Sequence, residues 1–321
     1  MRRLRLVPEK TNIKFMKGRF AGLATSAFLS IASIIMFFYP GLNYGIDFKG
    51  GILMEVRFEK PADFPGLRGK LGDLNLGEVA LQQFGSPNDV LIRLESQGTA
   101  DEANNNAANL VRTELAKSYP GTEVRRVDVV GGKISAELFE SGLLAVGLAL
   151  LAIAVYIWFR FEWMFAFAAL VTLLLDITKM IGFFAVMQLP FGLTAVAAIL
   201  TIIGYSINDK VVVYDRMREN LRRYKQMPLR ELIDLSINET LSRTIFTSMT
   251  TFLAMIPLAF MGGESVEVFA MGMLFGIIVG TSSSIFIAAP LVLLTGEKWL
   301  RRGKAAAEAA DKKAAAAAQQ S

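Results

Sequence analysis

Six long apolar stretches decide what this chain can fold into. They run approximately from Phe20 to Tyr39, Ser141 to Phe159, Trp163 to Leu189, Phe191 to Tyr214, Thr244 to Met261 and Val266 to Thr295. About 20 mainly apolar residues cross a bilayer as a helix, so each stretch qualifies as a span. Of the 321 residues 53% are hydrophobic, yet 20% are charged, so the polarity is segregated along the chain. Five stretches follow one another through short links. The first stands alone, set off by about a hundred polar residues. It is long for the apolar core of a signal peptide, and Pro40-Gly41-Leu42-Asn43-Tyr44 follows it in place of a small-residue cleavage site. The expected class is an α-helical integral membrane protein of six transmembrane helices with one external domain.

Lysine and arginine set the expected orientation. The N-terminus carries Arg2, Arg3, Arg5, Lys10, Lys14, Lys17 and Arg19 against a single Glu9. The link between the fourth and fifth stretches carries Arg216, Arg218, Arg222, Arg223, Lys225 and Arg230, and the tail adds Lys298, Arg301, Arg302, Lys304, Lys312 and Lys313. Arg160 follows the second stretch, whereas Gln188-Leu189-Pro190 and Gly262-Gly263-Glu264-Ser265 hold no cation. The positive-inside rule then places both termini in the cytoplasm. The formal charge of +5 is therefore a topology signal and not a nucleic-acid footprint. The expected organisation is a basic cytoplasmic N-terminus (1–19), a first span (20–40), an external domain (41–137), a membrane domain (138–300) and a low-complexity alanine-rich cytoplasmic tail (301–321).

The external segment reads as a small α+β domain. Ile52, Met54, Val56 and Phe58 alternate as in a strand, and Asp63 to Asp73 reads as a helix. Glu78 to Phe84 and Val90 to Glu95 read as strands around the turn Gly85-Ser86-Pro87-Asn88. Asp101 to Ser118 is a helix with Ala107, Leu110, Val111 and Leu115 on one side, and Thr122 to Val130 is a last strand. The order β-α-β-β-α-β is that of a ferredoxin-like unit, a fold that names no function by itself.

Composition removes several chemistries. The chain has neither cysteine nor histidine. Disulfides, iron–sulfur clusters and thiol catalysis are excluded, and zinc sites and Ser-His catalysis lose their usual ligands. No G-x-x-x-x-G-K-[ST] phosphate loop is present. The expectation is no enzyme, no cofactor and no metal.

Charges within spans cost about 2.5–3.5 kcal/mol each at mid-membrane on the insertion scale and need a reason. Asp176 and Lys179 are three apart on one helix face and can pair. They form either a satisfied ion pair or part of a proton path. Asp209 lies 18 residues after Phe191, about 27 Å along a helix, near the far end of its stretch; Lys210 follows it. Arg243 opens the next stretch at similar depth. Taken singly, these are an interfacial acid and a snorkelling arginine. Taken together, they can switch, since burial favours the neutral acid and an approaching guanidinium favours the carboxylate. Gly272, Gly276 and Gly280 form a small-residue stripe on the sixth stretch, suited to close packing within the chain or against a partner. The link Asp215 to Ser236 carries Met217, Leu221, Tyr224, Met227, Leu232 and Leu235, and reads either as an amphipathic surface helix or as a solvated one.

Three motifs occur in one order. Asn43-Tyr44-Gly45-Ile46-Asp47-Phe48-Lys49-Gly50-Gly51 follows the first span. Gly204-Tyr205-Ser206-Ile207-Asn208-Asp209 runs on into Val211-Val212-Val213-Tyr214-Asp215-Arg216-Met217-Arg218-Glu219-Asn220. Ser242-Arg243-Thr244 comes with Thr247-Ser248-Met249-Thr250-Thr251 and Phe260-Met261-Gly262-Gly263. Together these resemble the SecF branch of the bacterial SecD/SecF protein-export family, within the resistance-nodulation-division superfamily. The resemblance covers about residues 12 to 300. It implies a subunit of the inner membrane that works one to one with SecD beside the SecYEG channel and other translocase subunits. Together they would use the proton gradient to draw unfolded exported protein outward. It implies that Asp209 carries the proton, that Arg243 controls it, and that Asp47, Lys49, Gly50 and Gly51 form the opening motif; Asp176, from its place in the span, is the next candidate for the proton path. Two residues depart from the family pattern. Lys210 stands where many members have a small hydroxyl residue, and Leu175 where many have histidine. Lys210 can act on Asp209 from close by, favouring its carboxylate, or snorkel to the cytoplasm, which is the reading with more weight. The rival readings are a passive scaffold of the translocase and a proton-coupled exporter of small molecules or lipids.

Overall fold

The computed structural model describes residues 11–84, 86–98 and 101–296. The basic cluster at Arg2, Arg3, Arg5 and Lys10, the tail with Lys298, Arg301, Arg302, Lys304, Lys312 and Lys313, and Gly85 of the expected turn lie outside the described residues. The helices are α1 (Arg19–Phe38), α2 (Ile46–Lys49), α3 (Phe64–Gly72), α4 (Asp101–Ser118), α5 (Gly132–Arg160), α6 (Trp163–Met187), α7 (Leu193–Arg223), α8 (Leu229–Met261) and α9 (Glu264–Ser283). The strands are β1 (Gly51–Arg57), β2 (Val79–Phe84), β3 (Ser86–Leu94) and β4 (Glu123–Val130).

Six helices are long and apolar enough to span a membrane: α1, α5, α6, α7, α8 and α9 with its continuation to Gly296. They divide by burial. The spans of α7 and α9 are half or more buried, whereas α1, α5 and α8 are largely open. The outer helices present Phe28, Ile31 and Ile35 on α1 and Leu144, Leu148 and Leu151 on α5. In water that surface would be costly; against lipid tails it is not.

The glycine stripe of α9 lets the two central helices meet. A Cβ at Gly276 would run into the Ile202 side chain. One at Gly272 would lie 3.0 Å from Phe184 and 3.2 Å from Ala198, and one at Gly280 3.1 Å from Ser206. The stripe thus packs within the chain. Past Ser283 the helix widens into a π-turn, Ser284–Ala288. Pro290 supplies a cause: it has no N–H for the Phe286 carbonyl, and its ring crowds that carbonyl. A Cβ at Gly22 of α1 would lie 2.9 Å from that same oxygen, so α1 crosses the turn at close range.

The sheet domain has the strand order β2-β3-β1-β4, antiparallel throughout. With α3 and α4 as crossovers this is the expected ferredoxin-like arrangement. Ile52, Met54 and Val56 of β1 and Val90, Ile92 and Leu94 of β3 face Leu67, Leu71, Val111 and Leu115 of the helices.

Three boundaries differ from the sequence reading. Ser86, Pro87 and Asn88 belong to β3 rather than to a loop. Phe58 N–H donates to the Asn88 carbonyl at 2.8 Å, and Arg57 grips Asp89, so the chain after β1 holds them extended. The second apolar stretch begins at Ser141, but α5 starts nine residues earlier, at Gly132. The Asp215–Ser236 link is neither a surface amphipathic helix nor a separate solvated one. It is the end of α7, a short turn and the start of α8, with Met217 and Leu232 fully buried.

Candidate functional site

The charged span residues gather where α6, α7 and α9 meet. Asp176 on α6 is 1% exposed. One carboxylate oxygen, Oδ2, accepts from Ser206 Oγ at 2.9 Å, Ser283 Oγ at 2.7 Å and Lys210 Nζ at 3.0 Å. The other, Oδ1, lies 3.7 Å from Lys179 Nζ, and neither of these two atoms has a hydrogen-bond partner among the described residues. The expected Asp176–Lys179 pair therefore exists, but it is the looser of two. The tighter partner is Lys210, and here the snorkelling expectation is corrected. Lys210 is 0% exposed, and its ammonium also donates to Ser206 Oγ, to the Ser206 carbonyl at 3.4 Å and to Ser283 Oγ at 3.3 Å. α7 continues for 13 residues beyond it to Arg223, so its stem cannot reach the helix end. A buried ammonium must find acceptors, and α6 and α9 supply them.

Asp209 is set apart from this pair. Consecutive helix residues differ by about 100° in direction, so Asp209 and Lys210 diverge. Asp209 is 3% exposed, and its Oδ2 is buried without a hydrogen-bond partner. Thr281 of α9 faces its carboxyl, and the charges of Lys210 and Arg243 are near enough to act on it. Thr281 is tied in turn to Ser248 of α8, with 2.7 Å between the hydroxyl oxygens. The apolar pattern alone put Asp209 near the end of its span. α7 runs on past it for 14 residues to Arg223, and Arg243 lies 14 residues after Leu229 on the antiparallel α8. The two depths match. Among the described residues no ion pair joins them, and the Arg243 side chain points outward, exposed.

Two further constellations brace this core. The segment after α1 pairs with the α6–α7 link: Phe191 N–H donates to the Asn43 carbonyl at 2.7 Å and Gly45 N–H to the Phe191 carbonyl at 3.0 Å. Asp47 accepts from Leu193 N–H at 2.8 Å, so a carboxylate from elsewhere in the chain caps the start of α7. Gly50 and Gly51 have φ of +73° and +122°, and a Cβ on Gly51 would strike the Leu94 carbonyl oxygen. Glycine is needed there for conformation and for space. Lys49 ends α2 and is exposed. At the opposite end Arg216 bridges Glu219 at 2.5 Å and Glu239 at 2.7 Å, and Asn220 donates to Glu239 at 2.7 Å and Ser236 at 3.0 Å. These bonds lace α7 to α8.

Ser206, Ser283, Thr281, Ser248 and Glu239 were not singled out in the sequence. Hydroxyls are common in membrane helices, and only their facing an acid distinguishes these. Among the described residues no group of three or more acidic side chains is placed to hold a metal.

Two family models match. "Protein export membrane protein SecD/SecF, C-terminal" matches residues 110–298, and "SecD/SecF GG Motif" matches residues 35–62. The chain is 47% identical over 292 residues to the protein translocase subunit SecF of Rickettsia rickettsii, covering 91% of this chain and 94% of that one. The chain belongs to the SecD/SecF protein-export family. The SecF of Rickettsia bellii is 45% identical over 296 residues, with 92% and 97% covered. Among solved structures, SecDF from Thermus thermophilus, described as a translocon-associated membrane protein, superposes at a TM-score of 0.81 with 33% identity. SecDF in a "super-membrane-facing form" does so at 0.66 with 34% identity. These cover 90% and 95% of this chain but only 39% and 40% of those. The chain thus spans about two fifths of the solved SecDF proteins. The SecD/SecF family is one of multi-pass membrane proteins, and the six apolar helices agree with that.

Proposed function

We propose that the chain is an auxiliary subunit of the Sec translocase. With a SecD-type partner, one to one, it uses the proton-motive force to promote export of unfolded protein beside the SecYEG channel. In this reading it lies in the bacterial inner membrane, with its termini in the cytoplasm and its sheet domain in the periplasm. The observation that carries the reading is the environment of Asp209: an almost fully buried mid-helix carboxyl with one oxygen unpartnered, level with an arginine on the next helix. A group so placed can change protonation when the arginine approaches or leaves. Asp176 is the second acid of the same polar cluster. One proton crossing 100 mV supplies about 2.3 kcal/mol, enough to bias a two-state motion.

A partner is supported by the open face of α8. An exposed guanidinium at the start of an apolar stretch must reach the interface or meet a counter-charge. A second membrane half would cover it, and the solved SecDF chains extend well beyond the part matched here. The test is proton-driven export in inverted vesicles holding the chain with its partner. Asp209→Asn keeps shape and hydrogen bonding but cannot ionise. It should abolish the proton-dependent phase while the complex still assembles. Unchanged export would leave a passive scaffold as the better description.

A further inference from the structure

Asp176 and Asp209 are acids on adjacent spans, yet they stand in opposite settings. Asp176 faces two ammonium groups, Lys179 from its own helix and Lys210 from α7, and two hydroxyls, Ser206 and Ser283. Asp209 faces Thr281, with Lys210 and Arg243 acting from further away. Two carboxyls in such different surroundings can take different roles.

The difference is made by Lys210. Its ammonium is wholly buried, and every acceptor it finds lies on Asp176, Ser206 or Ser283. It therefore joins α6, α7 and α9 through one charge. Lys179 makes no hydrogen bond at its Nζ among the described residues and stands 3.7 Å off, so it cannot hold the carboxylate in the same way. A protonated Asp176 would leave the Lys210 ammonium buried without its counter-charge, which a protein interior strongly disfavours.

We propose that Lys210 is a positioning residue that fixes Asp176 as a permanent carboxylate and so leaves Asp209 as the single acid of this cluster that takes up and releases a proton. The proposal rests on the reading of Asp209 as proton carrier, and it adds that this chain contributes one protonation event per cycle, not two. Asp176 is then a structural anion shared by three spans.

The test uses a hydrophobic carbodiimide, which modifies protonated carboxyls in apolar surroundings, on the full chain with its partner in membranes. The modified residue is located by mass spectrometry. In the wild type Asp209 should be labelled about tenfold faster than Asp176 or more, the ratio of one decade in protonation. In Lys210→Met, which keeps length and loses charge, Asp176 should label about as fast as Asp209; in Lys179→Met it should stay protected. Equal labelling of both acids in the wild type, or exposure of Asp176 by Lys179→Met and not by Lys210→Met, would overturn the proposal. Should Lys210→Met fail to assemble, Asp176→Asn combined with Lys210→Met decides. The pair removed together should restore assembly, and a double variant no better than the single one counts against a clamp. Neither readout requires export. A failure of the proton-carrier reading, seen as normal export by Asp209→Asn, is therefore distinguishable from a failure of the clamp.

Discussion

Single side chains carry different loads in the two halves of this molecule. In the sheet domain the tightest ion pair is Arg57 with Asp89, both guanidinium contacts at 2.7 Å, with Ser86 Oγ donating to the same carboxylate at 2.9 Å. The Arg57 hydrogen bonds hold Asp89 below its ordinary range, against the opposing effect of burial. An unfolded Asp titrates near 3.9. The folded group titrates lower, so its stabilisation is complete above the unfolded value and is lost as the pH falls through the folded one. Arg57 is 43% exposed, so solvent screening keeps the contribution small. We expect Asp89→Asn to speed hydrogen exchange of β1 and β3 amides in the full chain about fivefold at neutral pH. The variant should also flatten the acid sensitivity of the domain to pepsin below about pH 4. Unaltered exchange would show that the pair adds nothing. In the membrane part the charged residues themselves were legible, since any charge in an apolar run stands out. Their partners were not. Lys210 and Asp176 are 34 positions apart, and no local spacing rule says that a lysine turns inward rather than towards the helix end.

Elements show the same split between periodic and non-local information. The six spans and the β-α-β-β-α-β order follow from apolar length and alternation, which are local. Helix ends are harder. α7 and α8 run beyond their apolar stretches where Arg216 and Asn220 bond Glu239 across the two helices, and α5 starts nine residues before its own stretch. The packing of α7 on α9 depends on three glycines, and the Ile202 side chain occupies the place of a Cβ at Gly276. A β-branched Ile in a helix has little rotamer freedom to retreat. Gly276→Val should therefore separate the helices and cost about 1–3 kcal/mol by overpacking. That would appear as a lower melting temperature in detergent. Gly147→Ala on α5 is the control: a Cβ there meets nothing within 4 Å. It should be neutral or slightly stabilising, as helix propensity favours alanine. Equal effects of the two substitutions would remove the glycine stripe as a packing device.

At the scale of the whole molecule, the proton chemistry proposed for Asp209 would serve export only by moving something beyond the helices. The sheet domain is the body available. It meets the membrane helices at two edges. One edge is the opening motif, where Asn43, Gly45 and Asp47 bond the α6–α7 link and Phe48 packs on Phe139 and Phe191. The other edge includes a contact at 3.4 Å, Arg126 Nη1 donating to Ser265 Oγ beside the α8–α9 turn. A small cleft of about 80 Å³ runs between the edges, lined by Asp47, Arg93, Arg126, Thr194 and Ser265. The exit from β4 through Gly131 into α5 provides a pivot of low steric restriction. The two solved SecDF structures match at 33% and 34% identity with TM-scores of 0.81 and 0.66, so the chain superposes on the first more closely than on the second. We expect the domain to swing about the opening motif and to open the edge at Arg126 and Ser265. The chain has no cysteine, so Arg126→Cys with Ser265→Cys gives a clean pair for a short, cleavable bifunctional crosslinker. Closing it should stop proton-driven export with the complex intact, and cleaving it should restore export, while each single variant exports normally. Export that proceeds undiminished through the closed lock would mean that the domain does its work without leaving the membrane base, and that the motion driven by Asp209 is confined to the helices.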